Sequence, residues 1–258
     1  MEIITSKNNA AVVAAAKLAD KKYREREKKF AFEGIKLFEE ALRAGVCFSR
    51  VFVTETAYEK YAEKLSALEQ GLLTVVSDAV YEKLSFENAP QGVFSVAEYF
   101  SPAAQKESSF VLLLDGVADP GNFGAVLRSA EAFGVDAVYT GKNGADLYNP
   151  KTVRACMGSI FRVDVRRSES IPEEIKKLQK DGFRVFATAL DKRSVDIRKC
   201  DFSGKIAFVI GNEGHGVSDE TLKACDATVI IPMREGPESL NAAVAAGVAM
   251  WEIARGRL

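Results

Sequence analysis

The chain has 258 residues, room for one large domain or two smaller ones. Apolar residues make up 47% and charged residues 28%, which excludes a mostly disordered chain because enough apolar surface exists to offset chain entropy. With 35 basic and 36 acidic residues, bulk charge announces no nucleic-acid partner. Apolar runs such as Phe110 to Leu114 fall far short of the roughly 18 residues of a membrane span. The opening Met1-Glu2-Ile3-Ile4-Thr5 has no basic stretch leading into an apolar one, so no secretory signal is expected. Cys47, Cys156, Cys200 and Cys225 lie far apart, and His215 is the one histidine. That spacing offers neither a zinc site nor a redox pair, and free thiols in a reducing cytoplasm are expected, with no metal.

In chain order, residues 8–26 are rich in Ala, Lys and Glu and read as a helix. Residues 17–29 hold Lys17, Lys21, Lys22, Arg24, Arg26, Lys28 and Lys29 against three acids. By charge alone this is a solvated helix face with pairs such as Glu25–Lys29, or a polyanion contact. Gly34 opens a second helix, with Ile35, Leu37, Phe38, Ala41 and Leu42 at helical spacing and Gly45 as its stop. A strand at 50–54, a helix at 58–68, a strand at 72–76, a short helix capped by Ser77-Asp78 and a strand at 92–96 follow. Together residues 1–100 read as a small α/β module, and the polar stretch 101–109 as a linker.

Residues 108–258 alternate more strictly. Strands are expected at 110–114, 137–140, 161–165, 184–189, 206–210 and 228–231. Helices are expected at 122–133, 150–157, 172–181, 218–225 and 239–255. The strands are nearly all apolar, as in a parallel sheet covered on both faces. Ligands bind such sheets at the carboxyl ends of strands, so the chemistry belongs in the loops that follow them.

Three loops stand out. The first runs from Asp115 to Arg128 and lacks both the GxGxxG of a dinucleotide fold and the GK[ST] of a P-loop. Asn122 is placed to cap the next helix. Arg128 is six residues on, about 1.7 turns away, and needs an anionic or carbonyl partner, structural or functional. The second loop, Gly211-Asn212-Glu213-Gly214-His215-Gly216, has three glycines that allow close backbone approach, and Glu213 is its acid. The third follows Ile231-Pro232-Met233 and reaches Ser239-Leu240-Asn241. Ser239 is placed as the cap of the last helix, and Asn241 is out of keeping with a first helical turn.

Taken together, these loops resemble the three motifs of the SpoU (TrmH) family of RNA ribose methyltransferases, within the SPOUT superfamily. The matching residues are Asn122 and Arg128; Gly211, Glu213 and Gly216; and Ile231, Pro232, Met233, Ser239, Leu240 and Asn241. One departure is Ala243, where many members carry a serine. The first hundred residues resemble the family's substrate-binding module, which is similar to ribosomal protein L30e, through Ile4-Thr5-Ser6-Lys7-Asn8 and Phe32-Glu33-Gly34.

The resemblance implies a parallel-sheet α/β catalytic domain with a C-terminal trefoil knot, preceded by a smaller L30e-like α/β domain. It implies methyl transfer from S-adenosylmethionine to a ribose 2′-hydroxyl of RNA. Ribosomal RNA is the expected substrate, with transfer RNA or an inactive ribosome-assembly factor as alternatives. Gly211, Gly216, Ile231 and Leu240, with Thr188, would hold the cofactor. Arg128, Asn122, Glu213, Ser239 and Asn241 would form the catalytic group. A homodimer built near the last helix is implied, with Ala245, Val248, Ala249 and Trp251 as its apolar surface. The basic stretch, through Lys21, Lys22, Arg24 and Arg26, becomes an RNA phosphate contact.

Overall fold

A computed structural model of the chain describes residues 3–69, 71–100, 102, 108–191, 193–234 and 239–257. Most of the expected linker, 101 and 103–107, lies outside them. Contacts divide the chain into two compact units, residues 1–101 with 148–161, and 102–147 with 162–258.

In the first unit β1 (Ile3–Ile4), α1 (Ala10–Ala16), α2 (Lys21–Glu27), β2 (Lys29–Glu33), α3 (Ile35–Arg43) and β3 (Phe48–Thr54) are followed by α4 (Glu55–Lys60), α5 (Ala62–Leu65), β4 (Leu73–Val76), α6 (Asp78–Leu84) and β5 (Val93–Glu98). The mixed sheet runs β1-β4-β3-β5-β2, antiparallel where β5 pairs with β3 and β2. Val12, Ala15, Leu18, Phe52, Val80 and Phe94 form a buried core on it.

The expected helix over 8–26 is broken. Asp20 takes an extended conformation, and its carboxylate accepts from the Lys22 N–H to start α2. Lys28, at φ 52, ends α2, and Lys29 begins a strand that the charge pattern concealed. The helix expected over 58–68 divides at Tyr61. Ser77 precedes α6 without a side-chain capping bond.

The second unit contains β6 (Phe110–Asp115), α7 (Pro120–Ala132) and β7 (Ala137–Thr140). The chain then enters the first unit as α8 (Pro150–Ala155) and a 3-10 turn, Ser159–Phe161. There Tyr148 and Phe161 lie against Phe30, with ring centroids 4.7 and 6.5 Å away. The strand expected at 161–165 is displaced to β8 (Val165–Arg167) by that turn. Next come α9 (Ile171–Lys180), β9 (Arg184–Thr188), β10 (Val195–Asp196), β11 (Ile206–Gly211), α10 (Asp219–Ala224), β12 (Ala227–Ile230) and α11 (Ala242–Ala254).

All pairings in this second sheet are parallel, in the order β10-β12-β9-β11-β6-β7-β8. Val111, Leu113 and Val209 meet Ile171, Ile175 and Leu178 of α9 on one face. Leu112, Leu114, Phe208 and Ile210 alternate with them and are equally buried, so both faces are covered. Helices α7 and α11 pack on each other, and α11 on β11. No helix among the described residues is long and apolar enough to cross a membrane.

Candidate active site

The loops after β9, β11 and β12 converge at the carboxyl ends of the central strands, as parallel α/β sheets require. They enclose a cavity of about 560 Å³, within the usual range of small-molecule pockets. Thr188, Gly211, Gly216, Ile231 and Leu240, the five residues expected at the cofactor, all line it. Glu213, His215 and Ser239 line it too, with Asp191 and the small residues Ala189, Gly214, Ala242 and Ala245.

The second loop is shaped by its own backbone. Asn212 and Gly216 exchange two N–H···O bonds of 2.9 Å. A Cβ on Gly211 would stand 2.1 Å from the carbonyl carbon of Gly216 and the nitrogen of Val217. The loop folding onto itself therefore imposes glycine there, where the sequence suggested approach to a ligand. Asn212 fixes the rest. Its Oδ1 accepts from the N–H groups of Gly214 and His215, and its Nδ2 donates to the Gly116 carbonyl at 2.8 Å. Asp115 joins the same loops by accepting from the Ser218 N–H and hydroxyl, at 2.9 and 2.7 Å.

Two capping roles differ from expectation. Asp119, with Pro120 after it, caps α7 by accepting from the Asn122 N–H at 2.8 Å, which frees the Asn122 side chain. Asn241, and not Ser239, caps α11 by accepting from Ala243 and Val244. Ser239 is exposed at the cavity.

The freed amides meet. Asn241 Nδ2 donates to Asn122 Oδ1 at 2.9 Å, and Asn122 Nδ2 donates to Glu213 Oε1 at 2.9 Å. Glu213 also accepts from the N–H groups of Ala118 and Asp119, at 3.2 and 3.3 Å. Burial pushes this carboxyl up, but the bonds from Asn122 and from backbone N–H groups outweigh it and hold Glu213 below the usual carboxylate range. It is an ionised acceptor whose oxygens are occupied, a clamp between the first and second loops.

Arg128 stands apart. On α7 the residues 123, 124, 126, 127 and 130 are buried, while 121, 128 and 132 are exposed. Among the described residues its guanidinium has neither hydrogen bond nor ion pair. The structural salt bridge that the sequence left open is absent there.

Of the basic stretch, Lys21, Lys22 and Arg26 are exposed. Arg24 is not: it is 2% exposed, and its Nη1 donates to the carbonyls of Leu18 and Ala19 at 2.7 Å each. It satisfies carbonyls left over where the helix breaks at Asp20, so the expected phosphate contact does not include it.

The SpoU rRNA Methylase family model matches residues 109–251, and the chain belongs to that family. An MRM3-like substrate binding domain model matches residues 9–95. The 23S rRNA (guanosine(2553)-2′-O)-methyltransferase RlmP of Bacillus subtilis is 33% identical over 254 residues, 98% of this chain and 99% of that protein. An AdoMet-bound rRNA methyltransferase from Sinorhizobium meliloti superposes with a TM-score of 0.87 at 30% identity, covering 100% of this chain and 98% of its own. The SpoU methyltransferase AviRb from Streptomyces viridochromogenes, in complex with AdoMet, does so at 0.86 with 28% identity, covering 97% and 98%.

Proposed function

We propose that the chain transfers a methyl group from S-adenosylmethionine to a ribose 2′-hydroxyl of structured RNA, with ribosomal RNA as substrate. One observation carries the reading: the Asn241–Asn122–Glu213 relay ties all three motif loops together beside the cavity. The cavity fits the cofactor chemically. Ile210, Ile231 and Leu240 offer apolar walls, and the glycine-rich second loop offers main-chain polar groups. Thr188, Gly211, Gly216, Ile231 and Leu240 are the residues that would hold it. When bound, the cofactor supplies a methyl carried by a sulfonium leaving group.

The protein's work is then to position the ribose and manage its proton. Arg128 offers five N–H donors in a fixed planar fork and no acceptor, so it binds a phosphate or ribose oxygen and does not act as a base. Glu213, fully engaged, holds the loops and leaves the proton to water. Ser239, Asn122 and Asn241 orient the third and first loops. The exposed Lys21, Lys22 and Arg26 hold RNA phosphates.

The same reading has the segment from β11 to α11 knotted. The convergence of the second and third loops on one cavity supports it. It also makes the enzyme a homodimer, supported by Val244, Val248 and Trp251, which lie exposed along α11 at i, i+4 and i+7; of the other residues expected on that surface, Ala249 is buried and Ala245 lines the cavity. An enzyme with this substrate works in the cytoplasm, where ribosomes are assembled. The test is incubation of purified protein with labelled S-adenosylmethionine and ribosomal RNA, intact ribosomal subunits or transfer RNA. Label in ribosomal RNA is expected. Label only in transfer RNA would move the substrate, and none in any of them would leave an inactive binding factor.

A further inference from the structure

A second cavity lies wholly within the first unit. It also measures about 560 Å³ and is formed by the end of β3, helices α4 and α6, and residues 90–92. Its floor is rigid. Gly92, at φ 75, has no room for a side chain: a Cβ would stand 2.5 Å from Thr54 Oγ1 and 2.8 Å from Ala57 Cβ. Tyr81, 2% exposed, donates its hydroxyl to Glu33 at 2.9 Å, and Glu33 also accepts from the Ser85 hydroxyl and the Phe86 N–H. That network fixes Phe32-Glu33-Gly34, a segment the catalytic chemistry does not use.

The rim is different. Thr56, Lys60, Asp78 and Gln91 are exposed, and Tyr61 is half-buried. Gln91 Oε1 accepts from the Ile35 N–H at 3.2 Å, which turns its NH2 group away as the free end. The Asp78 carboxylate and the Thr56 hydroxyl have no partner among the described residues. The Lys60 ammonium sits 5.2 Å from the centre of the Tyr61 ring. Glu82, also lining the cavity, is 4.0 Å from Lys7.

The Asp78 and Glu82 carboxylates balance the Lys60 and Lys7 ammonium groups, so the rim carries no net positive charge to select a phosphate. A flat, neutral group carrying N–H donors suits the cavity: an aromatic face for stacking, a carboxylate to accept and an amide NH2 to donate. Unpaired RNA bases are read in this way. Guanine presents N1–H and its exocyclic amine beside O6, matching Asp78 and Gln91 respectively. We propose that this cavity binds one unpaired guanine of the RNA substrate, a recognition site separate from the methyl-transfer cavity. This rests on the reading of the chain as an enzyme acting on RNA.

The test titrates the ¹⁵N-labelled full chain, saturated with S-adenosylhomocysteine, with guanosine, adenosine, cytidine, uridine and inorganic phosphate in turn. Guanosine is expected to shift the amides of 54–61, 78–82 and 90–92, and to bind at least about ten-fold more tightly than the other probes, the scale of one lost base contact. Combining Asp78→Asn with Gln91→Leu is expected to abolish that preference. The same variant should raise KM for ribosomal RNA about ten-fold or more and leave kcat at saturating RNA unchanged. Shifts without base preference, or from phosphate alone, would overturn the proposal. So would an unchanged KM in a variant that melts like the parent. If the parent methylates no RNA, the functional reading fails, and the nucleoside titration still decides whether the cavity binds guanine.

Discussion

Asn122 holds two long-range hydrogen bonds at once, to Asn241 119 residues later and to Glu213 91 residues later. The sequence marked each residue as unusual or motif-bearing, yet it assigned Asn122 and Ser239 to helix caps. The true caps, Asp119 and Asn241, were legible as N-cap residue types. That capping by Asp119 frees Asn122 for a distant partner is a tertiary fact, invisible to local spacing. At this scale Arg128→Ala should lower kcat by about 100-fold with cofactor affinity unchanged by calorimetry, and Arg128→Lys should recover only part of the loss. Most of the turnover retained by the lysine variant would count against bidentate contact. Because the Glu213 carboxyl is held low, its ionised form persists at neutral pH. Its contribution to stability is present above the unfolded value, about 4.3, and is lost as pH falls through the folded one. Glu213→Gln should therefore slow turnover without removing a limb of the kcat–pH profile near neutrality. Disappearance of such a limb would make Glu213 the base.

Helix α11 joins a cap, a covered face and an exposed stripe. Asn241→Asp keeps the acceptor that caps α11 but removes the donor to Asn122, so Tm should stay near the parent's while kcat falls. Equal losses of both would mean that the residue only caps. Along the same helix, Val248→Asp should convert a dimer to monomer in sedimentation equilibrium, because it puts a charge into the apolar stripe. In α2 the charge pattern hid two different roles, since Arg24 serves the break at Asp20 while its neighbours face solvent. Replacing Lys21, Lys22 and Arg26 together by glutamine should lower the slope of log affinity against log salt by about 2 to 3. A slope unchanged by the three substitutions would remove this face from the RNA contact. The near-unbroken apolar strands made the parallel sheet readable, whereas β2, starting at Lys29 in a run of charges, was not.

The division of the whole molecule is less linear than composition suggests. Residues 148–161 belong by contact with the first unit, although they sit in the midst of the strand–helix alternation of the second. Nothing local in Tyr148 or Phe161 announces that they cover Phe30, because the contact spans more than a hundred residues of sequence. A fragment of residues 1–101 should accordingly be less stable than one with 148–161 joined to it. Each uncovered phenylalanine is worth up to about 1.5–3 kcal/mol. Equal denaturation midpoints would contradict this. The claim on which all the parts depend is methyl transfer to a ribose oxygen, and it is tested most directly by where the methyl resides. Ribosomal RNA labelled by the enzyme should be hydrolysed in alkali and its products separated. A 2′-O-methyl group blocks cleavage at its own linkage, so label is predicted in alkali-resistant dinucleotides. Label recovered only in mononucleotides would place the methyl on a base and contradict the account.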